Sequence, residues 1–351
     1  MAINTNKTIA NMFNSLHKYN EMNIKGEDIM KNRILLTGAS GFIGTNLLED
    51  LIKKGYEVCN VDINAPKIEE RKSVWKKVDI RDYDELEKVV LEFKPDYFIH
   101  LAARTDLDGK TIDDYSSNVI GVENVMKIIH KLPELKKVII TSSKFVTRNG
   151  YKIKNQHDYC PHTKYGESKV ETEIRVWGDA PHCDWCIIRP TSIWGPWFGV
   201  PYRNFFDMVM RRMYFHIGHI KCHKTYGYIG NAVYQIEQLL FTSTPDKNNK
   251  VFYIGDEPAY EINEWADEIA HELGFNIPTM PVWFVKCLAK FGDFLGVFGI
   301  HFPMQSFRFG NMTNDGTNDM SNTYEIAPEI PYTRLQGTKA TIDWIKKYEG
   351  K

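Results

Sequence analysis

The stretch RILLTGASGFIGTNLLEDLIKKGYEVCNVDI, residues 33–63, decides the fold. Ile34-Leu35-Leu36 is a short apolar run of the buried-strand kind, and Val58 to Ile63 is a second. Between them Leu47, Leu48, Leu51 and Ile52 recur at helical spacing until Gly55. The three together form one βαβ unit of about 30 residues. Its first turn is Thr37-Gly38-Ala39-Ser40-Gly41-Phe42-Ile43-Gly44. Gly38 permits the tight turn, Gly41 lets backbone approach a pyrophosphate, and Gly44 lets helix and strand pack closely. The helix start behind it offers free N–H groups and a positive dipole end to phosphates. Asp62 closes the second strand, where a carboxylate accepts from ribose hydroxyls and repels a 2′-phosphate. NAD is therefore expected in preference to NADP, with Lys67 and Arg71 near enough in sequence to soften the preference.

Outward from this unit the alternation continues. Leu86 to Phe93 reads as helix and Tyr97 to Leu101 as strand, then Val119 to Leu132 as helix and Lys137 to Thr141 as strand. Tyr165 to Trp177 follows as helix and Trp185 to Arg189 as strand. Such a chain predicts an α/β protein with a doubly wound parallel sheet, a Rossmann domain over residues 30–190. After Arg189 the texture turns to Pro, Gly, Trp and other aromatics, which predicts a smaller C-terminal substrate-binding region over 191–351. Tyr226 to Leu240 and Val251 to Gly255 are expected to return to the main sheet. Residues 1–29 are polar, with one amphipathic turn set at Ile9, Met12, Phe13 and Leu16. They are expected to be a disordered extension, dispensable for folding.

Bulk properties exclude several functions. The chain has 351 residues, 43% of them hydrophobic, enough for a sizeable core. With 44 Lys+Arg against 45 Asp+Glu, no overall field recruits nucleic acid. Residues 1–30 lack an apolar signal-peptide region, so a cytoplasmic location with reduced thiols is expected. Cys183 and Cys186 then read as core thiols, not a redox or zinc pair. His216, His219, Cys222 and His223 mimic zinc ligands, but no carboxylate or second cysteine set accompanies them, and no metal is expected. No run reaches the roughly 18 apolar residues of a membrane helix. The nearest, Pro281 to Ile300, is interrupted by Lys286, Lys290 and Asp293. It is expected to pack over a substrate pocket, not to touch a membrane surface.

Chemistry is carried by Tyr165-Gly166-Glu167-Ser168-Lys169, which sets a phenol and an ammonium four residues apart on one helix face. A free phenol with pKa about 10 is a poor base at neutral pH. A neighbouring cation stabilises the phenolate and makes proton exchange with an alcohol feasible. Ser143 ends the strand Lys137 to Thr141, at the crevice where such sheets bind ligands, and its hydroxyl suits the reacting oxygen.

These elements together resemble the extended branch of the short-chain dehydrogenase/reductase family, of the NAD-dependent epimerase/dehydratase type. The likeness runs from about residue 31 to 345. It includes Asp79-Ile80-Arg81-Asp82, His100-Leu101-Ala102-Ala103, Asn118, Arg189-Pro190 and Trp194-Gly195-Pro196. The resemblance implies Ser143, Tyr165 and Lys169 as the catalytic trio. For the dinucleotide it implies Gly38, Ser40, Gly41, Phe42, Ile43, Gly44 and Asp62, with Asp79 and Ile80 at the adenine. Leu101, Ala102, Ala103, Asn118, Tyr165, Lys169 and Pro190 complete the implied NAD site. A homodimer is implied as well.

For the substrate the resemblance implies Ser143, Ser192, Arg203, Arg212 and Arg308. The region from Arg203 to Lys224 lines a substrate diphosphate in the family, and here it is rich in Arg, Lys and His. Dehydratases of the family follow the catalytic Ser/Thr with an Asp-Glu pair, where this chain has Lys144 and Phe145. Decarboxylases place Glu, and 3,5-epimerase/reductases Cys, where Phe145 stands. The expectation is hydride chemistry on a nucleotide sugar, as a 4-epimerase or 4-ketoreductase. Sugar-nucleotide enzymes usually have Asn where Ser192 stands, and Arg189-Pro190-Thr191-Ser192 with the apolar segment 281–300 also fits a 3β-hydroxysteroid-dehydrogenase-like oxidoreductase. A non-catalytic dinucleotide sensor would need the glycines but not the intact trio.

Overall fold

The structure, a computed structural model, describes residues 32–244, 249–300 and 302–349. The expected extension 1–29 lies outside the described residues.

From its start the described chain alternates strand and helix. β1 (Arg33–Thr37), α1 (Phe42–Lys53), β2 (Glu57–Asp62), β3 (Trp75–Lys77), α2 (Tyr83–Phe93) and β4 (Tyr97–His100) come first. α3 (Ser116–Ile129), β5 (Lys137–Thr141), α4 (Lys164–Gly178) and β6 (Asp184–Pro190) follow. The strands are short and almost wholly buried because helices cover both faces. Side chains alternate between the faces. Ile34 and Leu36 join one core cluster with Leu47, Leu48 and Leu51 of α1. Leu35 joins the other, with Leu86 and Val90 of α2 and Val122 and Val125 of α3.

The second half runs β7 (Ser192–Trp194), α5 (Arg203–Met210), β8 (His216–Ile217), β9 (His223–Lys224), β10 (Tyr226–Tyr228) and α6 (Ile229–Phe241). Then come β11 (Val251–Ile254), β12 (Tyr260–Glu261), α7 (Ile262–Glu272), β13 (Thr279–Met280), α8 (Val282–Val297), α9 (Ser306–Thr313), α10 (Ser321–Ile326) and α11 (Arg334–Glu349). The main sheet has seven parallel strands in the order β11-β6-β5-β4-β1-β2-β3. The order reverses between β1 and β4, and that switch point opens a crevice at the carboxyl ends of the strands.

Of the two segments expected to rejoin the sheet, Val251–Ile254 does so, as the strand beside β6. Tyr226–Tyr228 instead pairs with β7 in a separate two-stranded sheet, and α6 packs on α1. The second region shares its core with the first, since Trp194, Phe206 and Trp265 belong to the cluster that holds Ile34 and Leu47. Trp194 sits among Phe206, Tyr228 and Trp265, and this fixes the chain as it leaves the sheet.

The expectation for residues 281–300 needs correction. α8 buries only Val285, Ala289 and Gly292, against Met304 and Ile217, and its other side is open to solvent. It does not line the cleft described below. An apolar count cannot tell which neighbour a helix faces. No helix among the described residues is long and apolar enough to cross a membrane.

Candidate active site

A cleft of about 900 Å³ runs along the carboxyl ends of the strands. At one end the glycine turn forms its floor. Gly38 has φ +77, and a Cβ there would lie 2.5 Å from the Ala102 amide nitrogen. A Cβ on Gly44 would lie 2.4 Å from the Cα of Ala39. Only glycine therefore lets β1, β4 and α1 converge under a ligand. Gly41, Ser40, Phe42 and Ile43 line the same wall.

Asp62 braces this turn from β2. Its carboxylate accepts the Ser40 amide at 3.0 Å and the Asn64 amide at 2.8 Å, one on each oxygen. Burial pushes the Asp62 carboxyl up, and the amide bonds from Asn64 and Ser40 oppose this. Of the two cations near in sequence, Arg71 is paired with Glu49, while Lys67 lines the cleft and reaches the Trp197 carbonyl at 3.2 Å. Farther along, Asp79 is paired with Arg81 at 2.6 Å and lies in the cleft with Ile80. Leu101, Ala102 and Ala103 line it from the end of β4, and Pro190 from the end of β6. The glycine cradle and the acid beside it fit a dinucleotide.

Asn118, expected at the dinucleotide, is tied into the fold beside the cleft. It lies outside the cleft lining and serves as a tether. Its carboxamide donates to the Arg104 carbonyl at 3.0 Å and to the Ser168 hydroxyl at 2.9 Å, and accepts the Arg104 amide at 2.8 Å. All its polar capacity holds the loop after β4 to α3 and α4.

At the inner end stand Ser143, Tyr165 and Lys169, all buried and all lining the cleft. Ser143 follows β5 and accepts the Phe145 amide at 3.2 Å. Tyr165 lies in the first turn of α4, which Thr163 caps by accepting the Gly166 amide at 3.0 Å. A Cβ on Gly166 would lie 2.3 Å from the Phe145 carbonyl oxygen. That glycine brings the helix start down onto the Ser143 loop and the phenol to the serine hydroxyl. Beneath, Arg189 of β6 holds Glu173 of α4 through two bonds of 2.8 and 2.7 Å, both side chains buried.

The electrostatics differ from the expectation. The Lys169 ammonium donates to the Thr141 carbonyl at 2.9 Å, and burial pushes it down to about 8. Burial pushes the Tyr165 phenol up to about 12, with the Ser143 hydroxyl opposing. Desolvation dominates, so in the free protein the phenol stays protonated at neutral pH.

At the outer end the expected substrate residues are mostly elsewhere. Ser192 is buried behind the wall, where its hydroxyl accepts from Lys144 Nζ at 2.6 Å. Arg203 is buried, paired with Asp207 and stacked over Phe198. Arg212 lies exposed over the Phe275 ring. Arg308, also exposed, donates to the Pro303 carbonyl at 2.9 Å. None of the three lines the cleft. The wall is built instead by Trp197, Phe198 and Tyr202, whose phenol bonds Ser192. These aromatics sit in irregular chain after Pro196, where no periodicity marks them. His216 is held between Asn263 and Asp267, and the Cys222 thiol donates to the Asn314 carbonyl. Among the described residues no group of three possible metal ligands converges.

Comparison with known proteins agrees with this geometry. Residues 34–232 match the model of the NAD dependent epimerase/dehydratase family. The N-acetyl-alpha-D-glucosaminyl-diphospho-ditrans,octacis-undecaprenol 4-epimerase of Escherichia coli O157:H7 is 27% identical over 330 residues, 90% of this chain and 96% of that protein. Among solved structures, UDP-glucose 4-epimerase of Thermotoga maritima with UDP-glucose superposes with a TM-score of 0.67 at 21% identity, covering 90% of this chain and 99% of that one. The Bordetella bronchiseptica enzyme WbmG in complex with NAD gives 0.68 at 19% identity, covering 92% and 96%.

Proposed function

The chain belongs to the NAD-dependent epimerase/dehydratase family, and on that premise we propose that it is an NAD-dependent 4-epimerase or 4-ketoreductase of a nucleotide sugar. The observation that carries this reading is the meeting of Ser143, Tyr165 and Lys169 at the inner end of the cleft whose floor is the glycine turn. The reading takes the working form to be a cytoplasmic homodimer.

Gly38, Gly41 and Gly44 receive the pyrophosphate, and Asp62 takes the adenosine ribose hydroxyls. Bound at these residues, NAD supplies a hydride acceptor and donor. Ser143 binds the sugar hydroxyl oxygen, and Tyr165 exchanges its proton. With its pKa held at about 12, the Tyr165 phenol carries its proton at neutral pH, so the proton that a ketone oxygen would take up on reduction is already in place there. Lys169, tied to the Thr141 carbonyl, lines the same cleft and serves the phenol as its cation. Epimerisation restores the cofactor each cycle, in keeping with an acid at position 62.

A second reading concerns only the carrier of the sugar. The Escherichia coli relative is named for a substrate on an undecaprenol diphosphate. The open aromatic side of α8 favours such a lipid diphosphate here in place of a nucleotide.

Tyr165→Phe tests the assignment. Turnover of UDP-hexoses should fall by about 10²–10⁴. NAD binding should stay within about twofold, since no dinucleotide contact made by the glycine turn uses that hydroxyl. Near-full turnover in the variant would remove Tyr165 from the mechanism.

A further inference from the structure

α8 is packed on one side and bare on the other. Val285, Ala289 and Gly292 recur at helical spacing and are buried against the α9 side of the fold. A Cβ on Gly292 would lie 1.9 Å from the Met304 carbonyl oxygen, so the helix is pressed down along that line. Its opposite side carries Trp283 at 69% exposure, Phe291 at 51%, Phe294 at 59%, Val297 at 82% and Phe298 at 66%. Phe307 at the start of α9 is 80% exposed. Single exposed apolar residues are ordinary, but a helix face made of aromatics marks a surface that meets something.

The charges around it say what. Lys286 and Lys290 lie along one edge of the aromatic stripe, both exposed, and Arg308 follows Phe307. The one acid on the helix, Asp293, is occupied by accepting the Ser306 amide at 3.0 Å at the start of α9. An aromatic face edged by cations, on a helix of 16 residues that cannot span a bilayer, is the pattern of a helix lying in the plane of an interface.

We propose that this outward side of α8, with Phe307, docks the enzyme on an anionic lipid bilayer. The aromatic rings enter the headgroup layer, and Lys286, Lys290 and Arg308 meet the lipid phosphates. The docking rests on the exposed face alone and holds whichever carrier bears the sugar.

Co-sedimentation of the full chain with vesicles tests it without substrate. Vesicles of phosphatidylethanolamine and phosphatidylglycerol should carry the protein down at low salt, and phosphatidylcholine vesicles should not. Raising the salt should weaken the binding. The double variant Phe294→Ser/Phe298→Ser should lose about tenfold or more in partitioning while keeping its melting temperature. Lys286→Glu/Lys290→Glu should lose at least about fivefold per lysine on anionic vesicles. The proposal is overturned if the native protein stays in the supernatant or if both variants bind as it does. A change of oligomeric state in the phenylalanine variant by sedimentation velocity, without a change in vesicle binding, would also overturn it and make the face a subunit contact.

Discussion

Lys144 sets its ammonium 2.6 Å from the Ser192 hydroxyl, across the wall of the cleft from the reacting site. The Ser192 hydroxyl is the hydrogen-bond partner of that ammonium. The pairing also explains why Ser192 does not reach the cleft. No carboxylate among the described residues offsets the charge on Lys144. Burial pushes its ammonium down to about 8 from the ordinary 10.5, and the Lys224 cation adds to the shift.

Replacing Lys144 with Met should therefore stabilise the protein at pH 7. A shift of one pKa unit corresponds to about 1.4 kcal/mol, and since the side chain keeps some contact with water, a gain of about 1–2 kcal/mol is expected. A folded pKa below the unfolded one means that between about pH 8 and 10.5 the unfolded chain holds more protons at this site. The native protein thus gains stability from Lys144 as pH rises through that window, and the variant does not. Melting curves of both at pH 7 and pH 10 should show the advantage of Lys144→Met shrinking at the higher pH. A constant advantage would place the ammonium in water.

Asp62→Asn should weaken NAD by about tenfold and narrow its preference over NADP. One carboxylate oxygen holds the Ser40 amide of the turn and the other the Asn64 amide after β2, and an amide side chain keeps only one acceptor. The lost charge also ceases to repel a 2′-phosphate. Fluorescence titration with both cofactors measures the ratio. If the ratio is unmoved, Lys67, which shares the cleft, sets it instead.

What the sequence disclosed follows from what its patterns encode. A buried strand such as Ile34-Leu35-Leu36 and a glycine turn are local signals, and the alternation of strand and helix points to a parallel sheet, whereas the order of the strands in it appears only in three dimensions. Tyr165 and Lys169 were legible because helical spacing alone puts them on one face. The direction of a long side chain is not local. Arg203, Arg212 and Arg308 find Asp207, the Phe275 ring and the Pro303 carbonyl, and leave the cleft. Asn118 was expected at the dinucleotide from the family resemblance. Its three bonds to Arg104 and Ser168 appear only in three dimensions. The outward side of α8 was hidden for the same reason, since composition counts aromatics without saying which way they face.

The buried pair of Arg189 and Glu173 should matter to both stability and turnover. Glu173→Gln would leave the guanidinium without its counter-charge in a site that water does not reach, which costs about 3–5 kcal/mol. α4 would loosen on β6, and Tyr165 with it. Chemical denaturation gives the stability loss. The double variant Arg189→Met/Glu173→Leu should recover most of it, because removing both charges removes the desolvation cost. If the single variant is as stable as the native protein, the pair does not hold the helix.

No nucleotide hexose should be dehydrated by this protein. Eliminating water across C5 and C6 needs a base for the C5 proton and an acid for the departing hydroxyl, both within hydrogen-bond reach of the sugar. The positions after Ser143 could supply them, but the side chain of Lys144 turns to Ser192. Phe145 lines the cleft with a ring that stacks on His162 and meets Tyr165 edge-on, with no proton to exchange. Glu167, the nearest acid along α4, is paired with Lys164 at 2.7 Å and faces away from the cleft. Asp62, at the far end, is held by the Ser40 and Asn64 amides against the glycine turn. Among the described residues the carboxylates lining the cleft are Asp62, Asp79 and Asp114, with Asp79 paired to Arg81 and Asp114 accepting the Lys110 and Thr111 amides; the proton exchange expected is therefore that of Tyr165 at a single oxygen. Mass spectrometry of UDP-hexoses incubated with the enzyme and NAD should show isomers of unchanged mass. A product lighter by one water would mean that an acid–base pair reaches the sugar from another segment.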